Sequence, residues 1–205
     1  MVLAKNQPKC EWILASASPR REEILKRIGL TFQIIPSNIE EPRPEAQENP
    51  ARFALRAARM KAMQVARVHG SGLIVGADTV VVLQGRILGK PSSPNEARSM
   101  LEKLSGRWHE VVTGLCLVRC QPYRVCSCCV STRVHFRKLT RAEIEWYLQT
   151  GEYFDKAGAY GAQGYASVFI DAIDGCYFNV VGFPVAAFAK LCRRLGIDLI
   201  QELRL

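Results

Sequence analysis

The most constraining stretch of the chain is Leu73-Ile74-Val75-Gly76-Ala77-Asp78-Thr79-Val80-Val81-Val82-Leu83, almost wholly apolar, with one carboxylate at its centre. A run of this kind reads as a central strand, covered on both faces by other layers. Asp78 must then be paired, metal-bound or exposed at a cleft, because an isolated buried carboxylate is very costly. A strand-end aspartate capping a loop is the common alternative, but strongly apolar residues continue the strand past Asp78.

Around this strand, apolar runs alternate with helical periods separated by turn residues, which marks an α/β fold. Residues 12–15 read as a short buried strand. It runs into Ser18-Pro19, an N-cap followed by proline at the first helical position, and Ile24, Leu25 and Ile28 form the buried stripe of the helix that Gly29 ends. Residues 30–35 form a second strand, and an acidic, proline-rich loop follows through Glu40, Glu41, Pro42 and Pro44. Asn49-Pro50 opens a long helix to about Gly70, and Gln84-Gly85 turns the chain after the central strand. Ser93-Pro94-Asn95-Glu96 and the segment from Thr140 to Glu143 are capping boxes. Residues 110–120 and 126–137 are two strands about a turn at Gln121-Pro122. Residues 168–173 and 177–181 read as a hairpin around Asp174-Gly175, and Pro184 opens a last helix closed by Gly196. No linker, repeat or low-complexity tract divides the 205 residues, so one domain over residues 1–205 with two lobes is expected, with residues 1–11 as a loosely ordered N-terminal extension.

The helix from Pro50 carries a second anomaly. At 100° per residue, Arg52, Arg56, Arg59 and Arg67 make a basic face, while Lys61 falls opposite, among Ala54, Ala57, Ala58 and Val65. A lysine at a core edge can snorkel, but with Asp78 in the next element the pair points to an interior polar site. The Ser16-Ala17-Ser18-Pro19-Arg20-Arg21 turn joins a strand to a helix N-terminus, a natural anion site. Two arginines there oppose the helix dipole unless an anion offsets them. Lys90, in Gly89-Lys90-Pro91, says little alone. The stretch Asp155-Lys156-Ala157-Gly158-Ala159-Tyr160-Gly161-Ala162-Gln163-Gly164 has glycines spaced by three, suited to close backbone approach to a ligand. It matches neither the dinucleotide fingerprint nor the phosphate-loop spacing.

Charge gives direction. With 28 Lys+Arg against 19 Asp+Glu the chain carries +9, so an anionic partner is expected. A nucleic-acid-binding protein is the rival reading, but the basic helix face has no interleaved aromatic residue for base stacking. Neither a secretory signal nor a membrane span is apparent, so the eight cysteines read as reduced thiols and a cytoplasmic location is expected. Cys116, Cys120, Cys126, Cys128 and Cys129 lack zinc-like spacing to each other or to the histidines and read as burial in strands.

Taken together, Leu14-Ala15-Ser16-Ala17-Ser18-Pro19-Arg20-Arg21, Ile39-Glu40-Glu41, Lys61, Gly76-Ala77-Asp78-Thr79, Gly89-Lys90-Pro91, the glycine-rich stretch from Lys156 to Gly164 and Asn179-Val180-Val181-Gly182-Phe183-Pro184 resemble the Maf family of nucleoside triphosphate pyrophosphatases. The resemblance spans residues 12 to about 195. It implies an elongated, mixed α/β sheet flanked by helices, of the inosine-triphosphatase-like (Maf/Ham1) type, with two lobes around a central cleft, and usually a homodimer. It also implies a divalent cation, Mg2+ or Mn2+, and hydrolysis of a nucleoside triphosphate to the monophosphate plus pyrophosphate, with house-cleaning of modified nucleotides or restraint of cell division as the task. Asp78 corresponds to the proton acceptor, and Arg20, Thr79 and Gln163 are similar to the branch favouring dTTP and UTP.

The residue chemistry agrees. Hydrolysis at the α-phosphorus needs positive charge against the triphosphate, which Arg20, Arg21, Lys61 and Lys90 supply. Glu41 and Asp78 suit a hard cation that binds carboxylates and substrate phosphates together. The expected catalytic set is Asp78, Lys90, Lys61 and Glu41, with Ser16, Ser18, Arg20, Arg21, Thr79, Asp155, Lys156 and Gln163 as substrate contacts. The Gln163 amide is suited to a uracil or thymine edge, and flipped it also suits cytosine.

Overall fold

The structure is a computed structural model in which residues 11–45 and 47–203 are described. Of the N-terminal extension expected over residues 1–11, all but Glu11 lies outside the described residues. The frame is a seven-stranded mixed sheet of order β2-β1-β3-β5-β6-β7, with β4 attached to β3. These strands are Trp12–Leu14, Gln33–Ile34, Leu73–Leu83, Arg86–Leu88, Trp108–Arg119, Arg124–Phe136 and Ile170–Asp174 for β1, β2, β3, β4, β5, β6 and β7. β1 runs parallel to β2 and β3, and the other pairings are antiparallel. The helices are α1 (Pro19–Arg27), α2 (Pro50–His69), α3 (Pro94–Leu104), α4 (Arg141–Gln149), α5 (Tyr177–Val181), α6 (Val185–Arg194) and α7 (Leu199–Glu202). No helix among the described residues is long and apolar enough to cross a membrane.

The 11-residue β3 is buried along nearly its whole length, as its composition requires. Its residues alternate between two faces. Leu73, Val75 and Ala77 join a core with Leu25 of α1 and Phe188 and Leu191 of α6. Ile74 packs on the other face with Ala58, Ala62 and Val65 of α2. A separate core gathers Leu101 and Leu104 of α3, Tyr147 of α4, and Phe136 and Phe169. Tyr147, Phe136 and Phe169 are fully buried, and each such side chain contributes about 1.5–3 kcal/mol of transfer free energy.

Two glycines set how closely α2 lies on the sheet. A Cβ at Gly76 would overlap the Ala58 carbonyl, and one at Gly114 would overlap the Ala54 carbonyl. Only glycine lets the helix backbone come this near the strands, so α2 is fixed in depth and rotation against Asp78, which lies opposite Gly114 in the β3–β5 ladder.

The sheet also contains an opening. β5 covers one edge of β3 from Leu73 to Val82. On the other edge β1 pairs with Leu73, Ile74 and Val75, and β4 pairs with Val81, Val82 and Leu83. Among the described residues, 76–80 therefore have no strand partner on that edge, and Asp78 lies midway along the gap.

Several local expectations change in detail. The strand over residues 30–35 shortens to Gln33–Ile34, while Leu30 makes an isolated bridge to Leu203. The three-residue β4 was not expected. Ser93 caps α3 by accepting from the Glu96 N–H, but the Glu96 carboxylate binds Ser92 instead of closing the box. Thr140 and Glu143 form the complete box. The hairpin around Asp174-Gly175 is overturned: β7 pairs with β6, and residues 177–181 are the helix α5. The cause is Asn179, fully buried, whose Nδ2 donates to the Val111 carbonyl at 2.8 Å and to Thr132 Oγ1 at 3.0 Å. That anchor lies in the β5–β6 layer and is invisible to a local pattern of four apolar residues about one asparagine.

Candidate active site

The gap in the β3 edge is flanked by the two loops that leave its neighbouring strands. The turn after β1 carries Ser16 to Arg21, and the segment after β4 carries Lys90. Between them lies a cavity of about 280 Å³, walled by Arg20, Arg21, Lys61, Asp78 and Thr79 on one side and by Asp155, Lys156, Tyr160 and Gln163 on the other. Glu41, Lys90 and Ser18 complete its polar lining. Of the residues expected at the site, only Ser16 is absent from the wall.

A chain of alternating charges crosses the cavity floor. The Lys61 ammonium donates to Asp78 Oδ1 at 2.6 Å and to Glu41 Oε1 at 3.4 Å, and Lys90 donates to Glu41 Oε2 at 2.8 Å. The Lys61 and Asp78 side chains are only 13% and 12% exposed, whereas Lys90 and Glu41 are 52% and 60% exposed. Lys61 therefore does not snorkel away from the core; it makes a close ion pair inside it. The hydrogen bond from Lys90, followed by the charge of Lys61, holds the Glu41 carboxyl below its ordinary range. Two carboxylates converging on one ammonium form a hard oxygen set that suits magnesium or manganese, which binds through one or two carboxylates together with substrate phosphates.

Thr79, on the opposite face of β3 from Asp78, belongs to a different network. Arg21 is buried, donating through Nε to the Gly182 carbonyl at 3.0 Å, through Nη1 to Ser16 Oγ at 3.0 Å and through Nη2 to Thr79 Oγ1 at 3.1 Å. Thr79 Oγ1 in turn lies 2.9 Å from Thr113 Oγ1. Burial pushes the Arg21 pKa down, yet a guanidinium stays charged in proteins. Ser16 is thus a support for Arg21, and its hydroxyl also accepts from the Ser18 N–H at 3.2 Å. Ser18 itself makes no side-chain cap on α1, so its hydroxyl is not spent on the helix donors beside the cavity.

Arg20, in the first turn of α1, comes within 3.8 Å of Asp155 on the far wall, and Lys156 pairs with the same carboxylate at 2.5 Å. Gln163 is exposed to the cavity, and among the described residues its amide has no partner. Behind this wall the Tyr160 hydroxyl lies 2.8 Å from His109 Nε2. Desolvation pushes the His109 pKa down to about 4, so its ring is neutral at physiological pH. His109 had no partner identifiable in sequence: the two residues meet only because β5 and the glycine-rich loop fold together. A second cavity of about 490 Å³ continues past Asp78, Glu41 and Lys90 toward Pro42, Phe53 and Leu88.

The remaining singled-out residues lie elsewhere. Arg56, on the basic face of α2, is tied to Glu48 at 2.6 Å. His135 pairs with Asp171 at 2.6 Å. The seven described cysteines are free thiols, and burial pushes Cys116 and Cys192 up to about 12.

Comparison with known proteins places these observations. The model of the Maf-like protein family matches residues 11–195. A protein of Desulforamulus reducens named dTTP/UTP pyrophosphatase is 44% identical over 92% of this chain and 98% of its own length. Proteins of the same name from Carboxydothermus hydrogenoformans and Pyrococcus abyssi are 48% and 49% identical, over 89% and 88% of this chain and 97% and 94% of theirs. Among solved structures, the Staphylococcus aureus Ham1 protein aligns with 60% of this chain and 71% of its own at 17% identity and a TM-score of 0.40.

Proposed function

The chain belongs to the Maf-like protein family, and from that premise we propose that it is a nucleoside triphosphate pyrophosphatase acting on dTTP and UTP. The observation that carries the reading is the Lys61–Asp78 pair, 2.6 Å apart and almost closed to solvent, facing a cavity whose other wall presents the unpartnered Gln163 amide. Curated relatives bearing the name dTTP/UTP pyrophosphatase support the substrate class.

In this reading Asp78 orients the attacking water and accepts its proton. The water oxygen bonds to the α-phosphorus, the bond from phosphorus to the α–β bridging oxygen breaks, and pyrophosphate leaves with that oxygen. Lys61 holds the Asp78 carboxylate in place through its 2.6 Å hydrogen bond. Arg20, Arg21, Lys61 and Lys90 offset the triphosphate charge. Glu41 and Asp78 would hold the divalent cation, which when bound supplies further positive charge against the phosphate oxygens. Gln163 accepts from N3–H of a uracil or thymine and donates to O4. Ser18, Thr79, Asp155 and Lys156 shape the remaining contacts, and Ser16 acts through Arg21. The same reading includes a homodimer and a cytoplasmic location, supported only by the resemblance and by the unpaired thiols.

The test is direct. Purified protein with magnesium is incubated with dTTP, UTP, CTP and ATP, and monophosphate and pyrophosphate are measured. Release from dTTP and UTP is expected; no pyrophosphate from any nucleotide would overturn the reading.

A further inference from the structure

Gln163 stands on a loop, and a loop side chain can read a base edge only if something holds the loop. The structure identifies that holder. Glu152, half-buried after α4, turns its carboxylate into the concave side of the glycine-rich loop. Its Oε2 accepts from the Tyr165 N–H at 2.7 Å and its Oε1 accepts from the Tyr147 hydroxyl at 3.4 Å. Tyr147 is fully buried against Phe169, so one end of this clamp is fixed in the core. The loop accommodates the carboxylate only because it has no side chains there. A Cβ at Gly161 would sit 2.8 Å from Glu152 Oε1, and one at Gly164 would overlap the carboxylate outright. Both residues between these glycines, Ala162 and Gln163, line the cavity, and Gln163 is the one that brings a polar side chain to it.

We propose that Glu152 is the positioning residue for nucleobase recognition, holding the loop of residues 161–165 so that Gln163 meets the base. It rests on the pyrophosphatase reading and adds a residue outside the catalytic set. The carboxylate binds a backbone N–H on one side and a core tyrosine on the other, so its loss frees the loop without touching Asp78, Lys61 or Lys90. The two ends of the substrate are therefore separable: the base end depends on Glu152, and the phosphate end does not.

The test measures the two ends separately. Glu152→Ala is expected to raise KM for UTP about tenfold, as loss of a positioned polar contact does, with kcat and inhibition by inorganic tripolyphosphate nearly unchanged. Glu152→Gln keeps an acceptor for the Tyr165 N–H and is expected to restore most of the lost affinity. Gly164→Ala, which forces a methyl into the carboxylate, should reproduce the Glu152→Ala defect. In the Glu152→Ala background the same methyl has room and should add little, the non-additivity of two residues sharing one contact.

An unchanged KM for UTP in Glu152→Ala overturns the proposal, as does an equal loss of UTP and tripolyphosphate binding. If Glu152→Ala does not fold, Gly164→Ala carries the test, and an unchanged KM for UTP or an equal loss of UTP and tripolyphosphate binding in that variant overturns the proposal. Wild-type protein that releases no pyrophosphate sinks the pyrophosphatase reading instead. In that case calorimetric UMP binding by wild type and Glu152→Ala carries the same comparison, and equal affinities overturn the proposal.

Discussion

Asp78 and Thr79 are neighbours on one strand, and the pleat sends them into two polar networks of opposite construction. Around Asp78 every cation has an anion: Lys61 meets both Asp78 and Glu41, and Lys90 meets Glu41. Around Thr79 the cation stands without one. Arg21 is held by a carbonyl and two hydroxyls, and no ion pair to it occurs among the described residues. The first network can exchange partners, because a phosphate or a cation entering the cavity competes with bonds of its own kind. The second is locked by neutral groups, with the charges of Asp78 and Glu41 acting on it only from beyond ion-pair distance, so it retains attraction for an incoming anion. In the proposed reaction one side of β3 would exchange its charge partners around a substrate, while the other would hold its cation in place.

Asp78→Asn tests this contrast most severely. Loss of the proton acceptor should lower kcat for UTP by about 1000-fold, within the range for a general base, while the melting temperature stays close to wild type. Near-normal turnover would remove Asp78 from the chemistry. Next comes the fixed charge. Arg21→Met should raise KM for UTP roughly 10- to 100-fold, the worth of hydrogen bonds to a charged group, and Arg21→Lys should recover part of that loss. Equal defects in both variants would make Arg21 a structural tie only. Lys90→Ala removes an exposed partner of Glu41, so KM should rise no more than about fivefold, with an effect that shrinks as salt is added. A salt-independent defect would place Lys90 with the locked network.

The smallest effect lies outside both networks, at Glu48. Its hydrogen bond from Arg56 lowers the carboxyl pKa from 4.5 to about 2. A depressed carboxyl pKa gives stability that is fully present above about pH 4.5 and is lost as pH falls toward 2. Glu48→Gln should therefore flatten the acid limb of melting temperature against pH and leave UTP turnover at neutral pH unaltered. A turnover defect at pH 7 would show that the ion pair at the start of α2 reaches the site.

What could be read from the sequence divides along the range of the interactions. The buried strand, the capping of α4 and the placement of Lys61 opposite Asp78 follow from periodicity and local chemistry, since 17 residues of helix and strand geometry relate the two. The Glu152 clamp is not legible in the sequence. The glycines flanking Gln163 suggest close backbone approach to a ligand, whereas the group that fills their space in the structure is the Glu152 carboxylate, which comes from outside the loop. The segment 177–181 reads as a strand in sequence because four apolar residues about Asn179 fit a strand as well as a short helix. The deciding contact is Asn179 to the Val111 carbonyl, 68 positions away in sequence. The His109–Tyr160 bond, 51 positions apart, was hidden for the same reason.

The gap between β1 and β4 has a consequence for the life of the protein in a crowded solution. A five-residue edge without a strand partner among the described residues is a place where a strand from another molecule can dock, and apolar edges of this kind seed aggregates. Here the would-be template runs beside Lys61, Lys90, Arg20 and Glu41, whose solvation a docking strand would have to strip. The charges proposed to receive a triphosphate would thus also act as gatekeepers for this stretch of β3, and neutralising several of them at once should cost solubility as well as activity.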